Sequence, residues 1–247
     1  MFTTLFASLL VLPLLLQGDS GVFTGVAIDH PGQIRLLYPT PFDNSKKQSF
    51  IMGDKLIWVE PGVIPPSLAS AFLLENTAIK AGESVLDMGC GNGVQAVFAA
   101  LNGAGKVVAS DISKKAVINT RHNAELHKVE KIVDARDGDL FAVLKPGEQF
   151  DVVIFNAGYP GFVGDPRGKN LHERFYSELD PWLKPGGRVY YHVGYVNRIP
   201  EVAALLEKNG FRIMRMNMVN ALSYDREPII YTVMRIRDTE PAQRLVQ

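Results

Sequence analysis

From residue 84 onward, short apolar runs alternate with stretches in which apolar positions recur at helical spacing. Ser84 to Asp87, Lys106 to Asp111, Lys131 to Arg136 and Gln149 to Phe155 read as buried strands. Asn92 to Leu101, Ser113 to Leu126, Asn170 to Leu179 and Glu201 to Asn209 read as helices, the last closed by Gly210. Phe211 to Met216 and Ile229 to Ile236 read as two final strands. Strands alternating with helices predict an α/β, doubly wound sheet.

The first part of the chain has a different rhythm. Between Gly21 and Val59, apolar and polar positions alternate between turn signals. Gly25 to Ile28 and Ile34 to Leu37 flank a turn at His30-Pro31-Gly32, and Phe50 to Met52 and Leu56 to Val59 flank one at Gly53-Asp54-Lys55. These predict a small β appendage, either an edge extension of the main sheet or a substrate lobe. Glu60 to Pro66 is a stiff connector, and Ser67 caps a following helix through Glu75. The expected division is an apolar segment over 1–20, the appendage over 21–61, the main α/β domain over 62–238 and a polar tail over 239–247.

Composition narrows the class. The 247 residues, 47% hydrophobic and 21% charged, describe a globular chain rather than a disordered one. With 26 basic and 26 acidic residues, no overall field draws in nucleic acid or anionic lipid. Lys114, Lys115, Arg121, Lys128 and Lys131 read as a solvated helix face. The single cysteine, Cys90, excludes an intrachain disulfide and any multi-cysteine metal site; it reads as a small filler, and no metal is expected. Residues 1–16 carry no charge, but lack a positive n-region and an A-x-A cleavage site, and Pro13 interrupts them. A membrane anchor, a packed helix and a mis-called start all remain open for them.

The chemistry centres on Asp87-Met88-Gly89-Cys90-Gly91-Asn92-Gly93, a glycine turn between strand and helix. Such a turn lets a ligand approach the backbone closely and faces it with helix N–H groups. The dinucleotide fingerprint G-x-G-x-x-G would require glycine at the position of Val94. Asp87 would repel a pyrophosphate but favour a cofactor carrying an ammonium and a sulfonium. Asp111 follows at roughly the spacing of an acid that accepts from ribose hydroxyls, or else serves as a helix cap.

D-M-G-C-G-N-G resembles motif I of the class I S-adenosylmethionine-dependent methyltransferases. That resemblance implies a seven-stranded Rossmann-like fold finished by an antiparallel pair, with L-K-P-G-G at 183–187 as the turn into the fifth strand. It implies S-adenosyl-L-methionine as cofactor, held by Asp87, Gly89, Cys90, Gly91, Gly93, Asp111, Ile112, Asp139, Leu140 and Asn156. Ile112 would pack on the adenine, and Asp139, in G-D-L-F, would accept from its amine. A cytoplasmic catalytic domain follows, with membrane association through residues 1–16 left open.

Asn156-Ala157-Gly158-Tyr159 resembles the N-P-P-Y motif of methyltransferases acting on planar amines, including HemK-type enzymes that modify a glutamine amide. Asn156 and Tyr159 are therefore the expected catalytic residues. A planar amide nitrogen is a poor nucleophile, and acceptors for both its hydrogens would aim the lone pair at the methyl group. Both prolines of the motif are replaced here. A protein amide is the favoured acceptor; a small molecule, a nucleic-acid base, or an inactive binding module are the alternatives.

Overall fold

The structure is a computed structural model and describes residues 25–28, 34–39, 43–156, 166–193, 199–218 and 229–239. The chain first builds an antiparallel meander from β1 (Gly25–Ile28), β2 (Leu36–Pro39), β3 (Gln48–Met52) and β4 (Lys55–Val59). No strand of this meander pairs with the main sheet. The N-terminal strands are thus a separate four-stranded sheet and not an edge extension. Leu36, Phe50, Met52, Ile57 and Val59 pack against Val63, Ala71, Leu74 and Val94.

Helix α1 (Leu68–Asn76) starts where expected, with Ser67 and Ser70 forming a reciprocal capping box. Then come β5 (Ser84–Met88), α2 (Val94–Leu101), β6 (Lys106–Asp111), α3 (Lys114–Leu126), β7 (Val133–Asp137) and β8 (Phe150–Phe155). The chain closes with α4 (Pro166–Glu178), β9 (Leu183–Val193), α5 (Ile199–Lys208), β10 (Phe211–Met218), β11 (Ile229–Arg235) and the short α6 (Ile236–Thr239).

The main sheet has seven strands in the order β10-β11-β9-β8-β5-β6-β7. Strands β5 to β9 are parallel, and β11 pairs antiparallel with both β9 and β10. One face packs Phe155, Phe175, Tyr176, Tyr191 and Tyr231 into an aromatic core; the other packs Val85, Ala96, Val97, Val107 and Ile154. L-K-P-G-G lies inside β9 as a bulge, because pairing jumps from Phe150–Leu183 to Val152–Arg188. α2 begins two residues later than its periodicity predicts, since Gly93 is left-handed (φ 82°) and cannot belong to the helix. α4 begins four residues earlier than Asn170, in a polar first turn that apolar spacing does not reveal. Among the described residues no helix is long and apolar enough to cross a membrane; residues 1–16 lie outside them.

Candidate functional site

The sheet reverses its winding between β5 and β8: the chain leaves β5 for β6 on one side and returns to its other side with β8. Ligands of open α/β sheets bind in the crevice beyond the carboxyl ends of strands at such a point. Here those ends carry Asp87 and Met88 on β5 and Phe155 on β8, with Asn156 just beyond. Buried polar atoms of Asp87, Ser110 and His192 that have no hydrogen-bond partner among the described residues also lie at carboxyl ends, of β5, β6 and β9.

The glycine turn is held from below. Gly89 N and Cys90 N donate to the Ser110 carbonyl at 2.7 and 2.9 Å, and Gly93 N donates to the Cys90 carbonyl at 2.8 Å. A Cβ on Gly93 would lie 2.8 Å from the Thr120 backbone, so the turn rests directly on α3. Above Gly91 (φ 54°) a Cβ would meet nothing within 4 Å: that side of the turn is open to a ligand. Cys90 is buried, accepts from Thr120 Oγ1 at 3.2 Å, and has its thiol pKa pushed up by burial, in keeping with a packing role.

Asp87 is 1% exposed and neither carboxylate oxygen has a hydrogen-bond partner among the described residues. Burial pushes its pKa up to about 7; the Ala96 amide, outside hydrogen-bond geometry, works against this, and Asp111 adds to it. A buried acid without a partner is costly, and a cation beside it removes that cost. The donor set therefore fits a positively charged ligand lying over a slender backbone.

Asp111 ends β6 with both oxygens aimed inward: Oδ2 accepts from Gly91 N at 3.0 Å and Oδ1 from Ser113 N at 2.8 Å. The cap of α3 is Ser113, whose Oγ accepts from Ala116 N, so Asp111 is not the N-cap residue. Each oxygen keeps a further lone pair for a ligand hydroxyl. Ile112 is 76% exposed, an apolar side chain left uncovered beside the turn. Asp139 is also exposed and takes an ion pair from Arg174 on α4 at 3.0 Å. Leu140 follows it at φ 45°, a conformation that branched side chains rarely hold without compensation. Phe141 stacks on Trp182 and Phe175 and belongs to the core.

Asn156 is half-buried just past β8. Ala157, Gly158 and Tyr159 lie outside the described residues. The register Phe155–Tyr191 places His192 next to Asn156 along the sheet edge. Burial depresses the His192 pKa to about 4, so it is neutral near pH 7, and its Nδ1 has no partner among the described residues.

The chain reading overlooked two side chains beneath the turn. Asn119 and Asn123, fully buried on α3, both donate to the Asn92 carbonyl, at 3.3 and 2.8 Å. Their signal was present: amides four residues apart on the same helix face as Ala116 and Ala124, where packing calls for apolar groups.

The family model for ribosomal protein L11 methyltransferase (PrmA) matches residues 68–157. A putative protein N5-glutamine methyltransferase of Methanocaldococcus jannaschii is 30% identical over 169 residues, 63% of this chain and 84% of that protein. The ribosomal protein L11 methyltransferase of Aquifex aeolicus is 37% identical over 110 residues, 40% of this chain and 42% of that one. The chain thus spans less than half the length of that relative. Among solved structures, a ribosomal protein L11 methylase from Lactobacillus delbrueckii subsp. bulgaricus superposes with TM-score 0.57 at 22% identity, covering 72% of this chain and 83% of that one. A methyltransferase from Thiobacillus denitrificans, in complex with S-adenosyl-L-homocysteine, gives TM-score 0.52 at 17% identity, covering 69% and 92%. An unpaired acid behind an open glycine turn, a seven-stranded sheet with one reversed strand, and a relative matched over most of its length agree: the chain belongs to the class I S-adenosylmethionine-dependent methyltransferases.

Proposed function

We propose that the protein transfers the methyl group to a planar amine nitrogen, with a protein glutamine side-chain amide as acceptor. The observation that carries this is Asn156, half-buried one residue past β8 at the sheet's switch point, beside the glycine turn. The M. jannaschii relative, a putative protein N5-glutamine methyltransferase, agrees in acceptor class. The L11 family match runs through Asn156 to residue 157, so both names point to a protein acceptor.

The cofactor supplies an activated methyl group. Asp87 would face its ammonium, Asp111 its ribose hydroxyls, and Ile112 one face of its adenine. Asp139 would accept from the adenine amine, Leu140 would lie beside it, and Gly89, Cys90, Gly91 and Gly93 would give the backbone floor. At the acceptor, the Asn156 side-chain oxygen would take one amide hydrogen and the Ala157 carbonyl the other. The lone pair then points out of the hydrogen-bonded plane toward the methyl donor. Tyr159 would stack on the amide plane. The nitrogen proton becomes acidic only as the new bond forms, so no strong base is needed beforehand.

Asn156→Ala tests this. Turnover at saturating cofactor is expected to fall by about 100-fold, the scale of one lost transition-state hydrogen bond, far more than any loss of affinity for S-adenosylhomocysteine. Normal methylation by the variant would exclude the amine clamp.

A further inference from the structure

β4 is an edge strand of the N-terminal sheet, so its outward backbone groups lack a strand neighbour. Side chains at every fourth position of α3 take that neighbour's place. His127 Nε2–H donates to the Leu56 carbonyl at 2.7 Å. Asn123 accepts from Trp58 N at 2.9 Å and donates to the Trp58 carbonyl at 2.7 Å. Asn119 donates to that carbonyl at 2.8 Å and accepts from Glu60 N at 2.6 Å. Residues spaced by four lie on one stripe of a helix, so a single face of α3 reads the alternate residues 56, 58 and 60.

The same two amides spend their remaining hydrogens on the Asn92 carbonyl, between Gly91 and Gly93. Both amide hydrogens of Asn119 and of Asn123 are then used, and each side-chain oxygen accepts one hydrogen bond. Asn92 itself donates to the Ile64 carbonyl at 2.9 Å, in the connector leaving β4, and accepts from Val94 N at 3.0 Å. Val94, the first residue of α2, packs within the N-terminal sheet's own apolar cluster. These amides are 0% exposed, so separating the sheet from α3 would strand them unpaired in an apolar setting.

We infer that Asn119 and Asn123 are positioning residues that clamp the glycine turn to β4, so that docking of the N-terminal sheet and binding of the cofactor form one coupled equilibrium. The sheet is therefore coupled to the cofactor site through its backbone. Coupling of this kind is reciprocal: a ligand that orders the turn must also tighten the sheet. The inference rests on the cofactor occupying the turn, and S-adenosylhomocysteine serves as probe.

The test combines calorimetric titration of the full chain with amide hydrogen exchange at Trp58 and Glu60. In the wild type, the probe is expected to slow exchange at both amides by several fold. Asn123→Ala should bind the probe about tenfold more weakly, the scale of one or two net hydrogen bonds. His127→Ala is the sharper variant, because His127 touches β4 and not the turn. It should weaken probe binding by about threefold, with less protection at Trp58. Wild-type affinity in His127→Ala, or exchange at β4 indifferent to the probe, would overturn the coupling and leave a local effect of Asn123 on Asn92. If Asn123→Ala does not fold, His127→Ala and the wild-type exchange decide. Absence of any probe binding by the wild type is a distinct result, which refutes the cofactor assignment itself.

Discussion

Asp87→Asn removes a charge that the free protein has no means of balancing. The folded protein holds this carboxyl at about 7, against an ordinary 3.8, chiefly by burial. A shift of about 3 units at 1.36 kcal/mol per unit is about 4 kcal/mol, and water entering the site on ionisation trims it to about 2–4 kcal/mol. The folded pKa lies above the unfolded one, so the associated stability is fully present below about pH 4 and is lost as pH rises through 7. Without ligand, Asp87→Asn should match the wild type near pH 4 and exceed it by about 2–4 kcal/mol at pH 8. Urea unfolding of both proteins across this range, with and without S-adenosylhomocysteine, measures the difference. Ligand should reverse the order at pH 8, because its ammonium favours the ionised carboxyl only in the wild type. Parallel stability curves for the two proteins, or a variant that binds the ligand as tightly as the wild type, would refute the electrostatic assignment of Asp87.

Asp111→Ala should lose about 1.5–3 kcal/mol of S-adenosylhomocysteine affinity, the range for hydrogen bonds to a charged group; unchanged affinity in calorimetry would remove this residue from the ribose site. Gly93→Ala should destabilise the fold by about 1–3 kcal/mol or more, since its Cβ would overlap the Thr120 backbone at a left-handed φ; a thermal midpoint at or above wild type would contradict the close seating of the turn on α3. Arg174→Ala should change stability by less than about 1 kcal/mol, because its pair with Asp139 is solvent-exposed; a larger loss in urea unfolding would show that this pair anchors α4.

The main sheet was legible because its central strands are buried on both faces and so appear as uninterrupted apolar runs. Ser67 and Ser113 were legible as helix starts because an exposed hydroxyl before an apolar-periodic stretch has few other uses. Periodicity fails where the backbone, rather than burial, sets the boundary. Asn92 lies outside α2 because its side chain caps Val94 N while Gly93 turns left-handed. The P-G-G stretch could be read as a turn before β9, yet pairing resumes on both sides of it and makes it a bulge. Asp87, the glycines and Asp111 could be singled out because they fall within one continuous strand–turn–helix–strand stretch, from β5 to the end of β6. Asn119 and Asn123 were not: their partners at Trp58 and Glu60 are about sixty residues away, and that proximity exists only once the sheet has docked. The N-terminal sheet stayed ambiguous for the same reason, since alternation specifies a strand but not which sheet it joins.

The acceptor decides the central claim. Incubating a cell lysate with the protein and cofactor carrying an isotopically labelled methyl group, then locating the label by peptide mass spectrometry, tests it most directly. The geometry at Asn156 predicts label on the side-chain nitrogen of glutamine, absent when Asn156→Ala replaces the wild type. Label confined to nucleic acid, to a carboxylate oxygen or to a small metabolite, from a protein that binds the cofactor normally, would contradict it.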